Sequence, residues 1–148
     1  MSHYDIFPTF LDIAGMSYSE AEPLPGRSFA DRLRGETPPS SHDHRDIVIF
    51  DEYGPVRMIR DRHWKYIHRY PYGPHELYDL ENDPEEVFNL ADHADYAHIV
   101  QDMRKRLEGW FMTYSQPEID GRSQGVTGKG QIDWADHRAR GGRRYFPR

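Results

Sequence analysis

Along this chain the apolar positions run at helical spacing, then alternate, then return to helical spacing. Between Ser2 and Gly15, Ile6, Phe7, Phe10, Leu11, Ile13 and Ala14 recur at helical steps, which predicts a helix over 2–15 carrying a wide apolar stripe. Ser2 with Asp5 three positions on gives a capping-box-like start, and Gly15 a C-terminal stop. Pro8 falls in the early turns, where a missing N–H costs least. So broad a stripe wants a large partner surface. Pro23, Pro25 and Gly26 then break the pattern, and Ser28 can cap a short helix from Phe29 to Arg34, closed by Gly35.

Residues 36–46 are polar, rich in Pro, Ser and His, and read as a linker. The period then drops to two. Ile47–Phe50 is a short strand signal, and Val56–Arg60 and His63–Arg69 form a hairpin around Asp61-Arg62. The run Tyr70-Pro71-Tyr72-Gly73-Pro74 interrupts it before a fourth strand, Glu76–Leu80. Strands so close in sequence make an antiparallel meander the economical topology. From Asp95 to Tyr114 the helical period returns through Tyr96, Ile99, Val100, Met103, Leu107, Trp110, Phe111 and Tyr114, with Asp92 or Asp95 as the expected cap and Gln116-Pro117 as the end. The pattern therefore predicts an α+β fold, a small antiparallel sheet of about four strands with this amphipathic helix packed on one face.

Composition narrows the kind of core. At 148 residues with 36% hydrophobic and 30% charged positions, the core must be small, and the 14% aromatic content has to supply much of it. No apolar run approaches the ~18 residues of a membrane span, and the first residues lack the basic and apolar regions of a signal peptide. The net charge of −6 argues against nucleic acid as a partner. Charge is unevenly placed, however. From Gly121 onward Arg122, Lys129, Arg138, Arg140, Arg143, Arg144 and Arg148 are set against only Asp133 and Asp136, so 117–148 reads as a basic tail, extended or disordered or else laid across a partner, and as the expected route to any pairing of the chain with copies of itself. The absence of cysteine excludes disulfides and thiolate chemistry and fits a reducing, cytoplasmic setting.

Candidate chemistry is sparse. The cluster His42, Asp43, His44 and Asp46 has ligand-type side chains, but in a Pro/Ser-rich loop it reads as solvated chain. Asp92, His93, Asp95 and His98 straddle a helix start, where acids are favoured for capping alone. The glycines of 125–130 follow no strand and open no helix, so a phosphate loop is not indicated. No metal site is expected in the chain. The strand 62–69 is more informative. Trp64, Tyr66 and His68 face one way, while His63, Lys65, Ile67 and Arg69 face the other, either to bind an anion or to balance acidic neighbours. Arg60, His63, Lys65 and His68 are the substrate-contact candidates.

Four stretches in one order resemble a known family. "YDIFPTFLDIAG" is similar to the D-ϕ-x-P-T helix of the type I sulfatases, the arylsulfatase family of the alkaline phosphatase-like superfamily, and "PGRSFADRLRGE" to the segment that follows it. "VRMIRDRHWKYIHRY" resembles their R-x-ϕ-R…K-Y hairpin, and "HELYDLENDPEEVFNLAD" their E-L-Y-D-L-x-x-D-P…N-L stretch. The resemblance runs from residue 4 to about 114 and implies that the carboxylates of 75–92 shape a bend and do no catalysis. It also implies a division: 1–35 as the end of a large α/β domain whose remainder lies outside the chain, 36–46 as linker, and 47–116 as the C-terminal subdomain.

Family members hydrolyse sulfate esters with a formylglycine made from Cys or Ser in C/S-x-P-x-R, beside a calcium ion. Here Ser115-Gln116-Pro117-Glu118-Ile119 lacks the arginine and there is no cysteine. Formylglycine and calcium are therefore expected in the N-terminal part, no catalytic residue in this chain, and a sulfated small molecule or sugar as the substrate of the whole. The contrasting expectation is a free-standing, non-catalytic interaction module that holds a partner with its basic tail. A module of that kind should cover the stripe Ile6, Phe7, Phe10 and Leu11 with its own residues.

Overall fold

The structure is a computed structural model, and it describes residues 1–18, 23–36, 46–51, 55–70 and 72–116. The chain falls into two compact units, Met1–Ile47 and Val48–Arg148.

In the first unit the helix expected over 2–15 is divided into a 3-10 turn, His3–Asp5, and helix α1, Ile6–Ile13. Pro8 is the physical reason: it has no N–H to offer the carbonyl of Tyr4 one turn back. That carbonyl faces Gly26 instead, so closely that a Cβ there would lie 1.9 Å from the Tyr4 oxygen. Two motif side chains complete a clasp. The buried Asp5 carboxylate accepts the N–H groups of Ser2 (2.7 Å) and Arg27 (2.9 Å), and the Thr9 hydroxyl donates to the Asp5 carbonyl (2.6 Å) while accepting the Phe29 N–H (3.1 Å). The Ser28 hydroxyl donates to Asp12 (2.6 Å) and accepts the Ala30 N–H that opens helix α2, Ala30–Leu33. Both helices end alike. Gly15 and Gly35 take left-handed conformations, and the N–H groups of Met16 and Glu36 reach back to Leu11 and Asp31, which satisfies carbonyls the helix leaves open.

In the second unit β1 (Ile47–Phe50), β2 (Val56–Arg60), β3 (Trp64–Arg69) and β4 (Glu76–Asp79) form one sheet in the order β1-β2-β3-β4. Pairing is antiparallel from β2 onward, with Ile59 opposite Tyr66 and Tyr66 opposite Leu77. Strand β3 begins at Trp64 and not at His63, because the Asp61 carboxylate takes the N–H groups of both residues at 2.8 Å and folds 61–63 into a turn. Helix α3, Ala97–Tyr114, follows a 3-10 turn, Ala94–Tyr96. Neither Asp92 nor Asp95 caps it. The capping positions are His93 and Tyr96, and no side chain bonds there.

One face of the sheet, Val48, Ile59, Tyr66 and Leu77, meets Met103, Leu107 and Phe111 of α3 to form the core, with Trp64, Tyr96, Ile99, Val100 and Trp110 around it. Those helix residues recur every four positions, so one stripe meets the sheet. Arg57 is buried on the same face with its guanidinium 3.6 Å from the Phe111 ring centre, and Arg106 reaches Asp61 at 3.0 Å to tie α3 to the β2–β3 turn. The observed fold is the α+β arrangement that the alternation and helical period predict.

Candidate functional site

Strict alternation along β3 divides the four candidate residues. Arg60 and Lys65 are directly opposite one another in the β2–β3 register, on the face turned away from α3. Lys65 is ion-paired with Glu86, and on the same face Arg69 is ion-paired with Glu76, which also accepts the Tyr78 hydroxyl at 2.9 Å. Burial first, then the bond to Glu76, push Tyr78 up to about 12. The acids that β4 and its following loop bring to this face thus balance its cations. His63 stands exposed in the turn before β3, with Nδ1 2.9 Å from Glu81. His68 is on the other face, only 3% exposed. The structure therefore brings Arg60 and Lys65 together and sets His68 across the sheet from them.

Around His68 lies a cluster that the sequence alone does not announce. The loop 72–75 returns His75 against it, turning at Gly73 with φ 81°. The two imidazoles stack with centres 4.1 Å apart and planes at 19°. Tyr70 lies 4.2 Å from His68, and the Tyr66 hydroxyl is 2.7 Å from its Nδ1. The backbone N–H of Arg69 donates to Nδ1 of His75, which leaves the ring proton of neutral His75 on Nε2. Burial, the neighbouring His75, and then Arg104 and Arg57 bring His68 down to about 3; burial foremost also lowers His75. Burial pushes Tyr66 up to about 12. His68 and Tyr66 are closed off from water and His75 is half-buried against them, so the cluster holds the strand end in shape.

The acidic stretch after β4 is likewise structural in its geometry. Asp79 accepts the N–H groups of Glu81 and Asn82 and the Asn82 side-chain amide, and that amide foremost holds the carboxyl below the usual range. Asp83 accepts Val87 and Phe88 N–H at 3.1 and 2.8 Å. Asn89 does most. Its Oδ1 accepts the N–H groups of Leu77 and Ala91, and its Nδ2 donates to the His75 carbonyl, all at 3.0 Å. An Asn89→Ala chain is expected to lose about 2–3 kcal/mol in urea unfolding, because the N–H of buried Leu77 is left without its acceptor. Glu85→Ala in the same loop should stay within about 0.5 kcal/mol.

Among the described residues no group of three or more His, Asp or Glu side chains is arranged to hold a metal ion. Asp92, His93, Asp95 and His98 are all exposed at the start of α3. His42, Asp43 and His44, the glycines of 125–130 and the basic tail lie outside the described residues. No described helix is long and apolar enough to cross a membrane. In the first unit, Pro8, Leu11, Asp12, Gly15, Met16 and Ser28 line a shallow groove beside α1. The helix leaves Ile6, Phe7 and Phe10 49%, 57% and 65% exposed.

Comparison with known proteins finds mostly sulfatases, with a phosphonate monoester hydrolase of Agrobacterium radiobacter also similar in structure at a TM-score of 0.56 and 28% identity, over 74% of this chain and 24% of that one. The family described as N-sulphoglucosamine sulphohydrolase, C-terminal, matches residues 1–112. A Delta 4,5-hexuronate-2-O-sulfatase from Bacteroides thetaiotaomicron is 34% identical over 110 residues, covering 72% of this chain and 22% of that protein. A solved 2-O GAG sulfatase superposes with a TM-score of 0.61 at 33% identity, over 83% of this chain and 26% of that one. Another structure, solved with D-glucosamine-2-N,6-O-disulfate as its substrate, gives 0.59 at 27% identity, over 81% and 25%. The chain spans about a quarter of the length of the proteins it matches.

Proposed function

Since the chain belongs to the C-terminal family of the N-sulphoglucosamine sulphohydrolases, a sulfatase family, we propose that it serves as the C-terminal subdomain of a sulfuric ester hydrolase acting on a sulfated sugar. The exposed face of α1 carries this reading. Residues 1–35 complete an α/β domain through Ile6, Phe7 and Phe10, and 47–116 form the smaller subdomain that closes over the substrate cleft. An apolar face of that kind on a stable protein marks an interface. The clasp of Asp5 and Thr9 on 27–29 keeps it in one shape.

The family's chemistry requires a formylglycine and calcium. The residues present do not fit either: the sequence has no C/S-x-P-x-R, and the described residues hold no cluster of metal ligands. Both groups therefore belong to the α/β domain, and the role of this chain is to hold substrate. Arg60 on the β2–β3 hairpin is assigned to the anionic part of the sugar, with His63 and Lys65 joining it by exchanging Glu81 and Glu86 for the substrate, and His68 supporting the hairpin from inside. The relatives' action on hexuronate and glucosamine sulfates supports a sulfated sugar as the substrate class. A self-sufficient interaction module would cover α1, and the exposed stripe weighs against it.

The test is turnover. The chain alone is expected to release no sulfate from a sulfated unsaturated uronate disaccharide. Joined in frame to the polypeptide encoded immediately upstream of Met1, it should give calcium-dependent release. Phe10→Asp should abolish that activity by undocking α1. Sulfate release by these 148 residues alone would overturn the proposal.

A further inference from the structure

Lys65 takes its counter-charge from an unusual place. On the same face of the sheet Arg69 finds its acid, Glu76, on the neighbouring strand. Lys65 stands opposite Tyr78, so β4 brings it no carboxylate in register, and the following loop supplies Glu86 instead. Delivering that carboxylate holds Glu86 at φ 56°, and it is the one non-glycine residue among those described with a left-handed backbone. A residue with a Cβ avoids this region, and strain of that kind persists only where the surroundings impose it. Here Asp83 imposes it. Its carbonyl accepts the Glu86 N–H at 3.0 Å, and its carboxylate accepts the N–H groups of Val87 and Phe88. The backbone is thus gripped from behind, while the Glu86 carboxylate lies on Lys65. Rotation within the Glu86 side chain would release Lys65 without breaking any of these backbone bonds.

The pair is neither sealed nor fully open, with the Lys65 and Glu86 side chains 21% and 30% exposed. An anion from solvent can reach Lys65, and a displaced carboxylate has water to return to. Arg60 lies directly across the hairpin, so an anion that replaces Glu86 meets two cations. From this geometry we infer that Glu86 is an internal competitor for the substrate's anionic group. It occupies Lys65 in the free enzyme, yields to a carboxylate on the sugar, and reclaims Lys65 after turnover. The inference rests on the sulfated-sugar reading above and adds a specificity-determining residue to it. Hydrolysis removes the sulfate but leaves the sugar's carboxylate on the hairpin, so the product keeps the contact that helped the substrate bind. Glu86 loosens both, and a sugar without a second anion draws nothing from Lys65.

Two substitutions test this in the enzyme joined to its upstream polypeptide. Glu86→Gln keeps the side chain's shape, and Glu86→Gly removes it while suiting φ 56°. With the sulfated unsaturated uronate disaccharide, both are expected to lower KM about tenfold, which is about 1.4 kcal/mol of lost competition. The inhibition constant of the desulfated disaccharide should fall as far. KM for a neutral sugar monosulfate should not follow, so the ratio of the two KM values moves about tenfold. A carboxylate that served the fold alone would show instead as a lower urea midpoint with KM raised or unmoved. KM raised or unmoved in both variants, an equal shift for the two substrates, or unfolding of both variants would overturn the inference while sulfate release by the wild-type joined enzyme leaves the reading above in place. No release by that wild-type enzyme would overturn both.

Discussion

Lowering the pH from 7 to 4.5 is expected to remove about 2–3 kcal/mol of stability from the sheet–helix unit through His68 alone. His68 ionises near its ordinary value, 6.5, in the unfolded chain, but near 3 when folded. Between those values the unfolded state binds the proton and the folded state does not, so stability is fully present above pH 6.5 and falls as pH drops toward 3. The slope approaches about 1.4 kcal/mol per pH unit for one such group. His75, also lowered, adds to it. The groups facing the pair are Tyr66, Tyr70, Arg57, Arg69, Arg104 and Asp92; the Asp92 carboxylate favours a proton on His75, and burial together with Arg104 and Arg69 outweighs it. Carboxylates do not obscure the effect. Asp61 and Asp79 are held below their ordinary 3.8, so their contribution is lost only from about pH 4 downward. For Asp61, burial, the largest single influence, raises the value, and the bonds from Trp64, His63 and Arg106 together outweigh it. Urea unfolding followed at Trp64 and Trp110 between pH 7 and 4.5 measures the slope, and His68→Phe should flatten it. Equal stability at both ends would remove the histidine pair as its source.

Gly26→Ala is the second large expected effect, with a loss of about 3 kcal/mol or more in the first unit. The added methyl would sit 1.9 Å from the Tyr4 oxygen and 2.8 Å from the Asp5 nitrogen, both backbone atoms that no rotamer change can move aside. Gly26 is required for space alone, since its backbone is not left-handed. Separation of the two segments releases the N–H groups of Arg27 and Phe29 from Asp5 and Thr9. Hydrogen exchange at these two amides is the direct readout, and both should exchange at the rate of open loop. Wild-type protection in Gly26→Ala would show that the clasp tolerates a side chain and that the close approach is incidental.

Sequence reasoning reached the elements whose signals are local. The four-residue recurrence of Met103, Leu107 and Phe111 and the alternation of Trp64, Tyr66 and His68 located both sides of the core. Asp83-Pro84 announced its turn through side-chain chemistry. Signals that act at a distance stayed hidden. Nothing near Asp5 says that its carboxylate will serve an amide 22 positions away, and the spacing of His68 and His75 does not foretell that a loop turning at Gly73 stacks them. The first helix is short at its start because Pro8, expected to cost little in the early turns, leaves the Tyr4 carbonyl without a helical donor, and that carbonyl turns toward Gly26. Among Arg60, His63, Lys65 and His68, alternation predicted the separation of His68 from Lys65, while the counter-charges from Glu81 and Glu86 depended on a bend whose path only the tertiary structure shows.

The strand order β1-β2-β3-β4 has a consequence for biosynthesis. Each strand finds its neighbour as soon as that neighbour leaves the ribosome, so the meander closes no long loop and its topology favours quick assembly. Its greasy side nevertheless stays bare until Met103, Leu107 and Phe111 have been translated. During that interval the nascent sheet is a sticky, half-finished surface of the type chaperones attend. A ribosome stalled before Met103 should therefore carry a chain that binds such helpers, and one stalled well past Phe111 should have let them go.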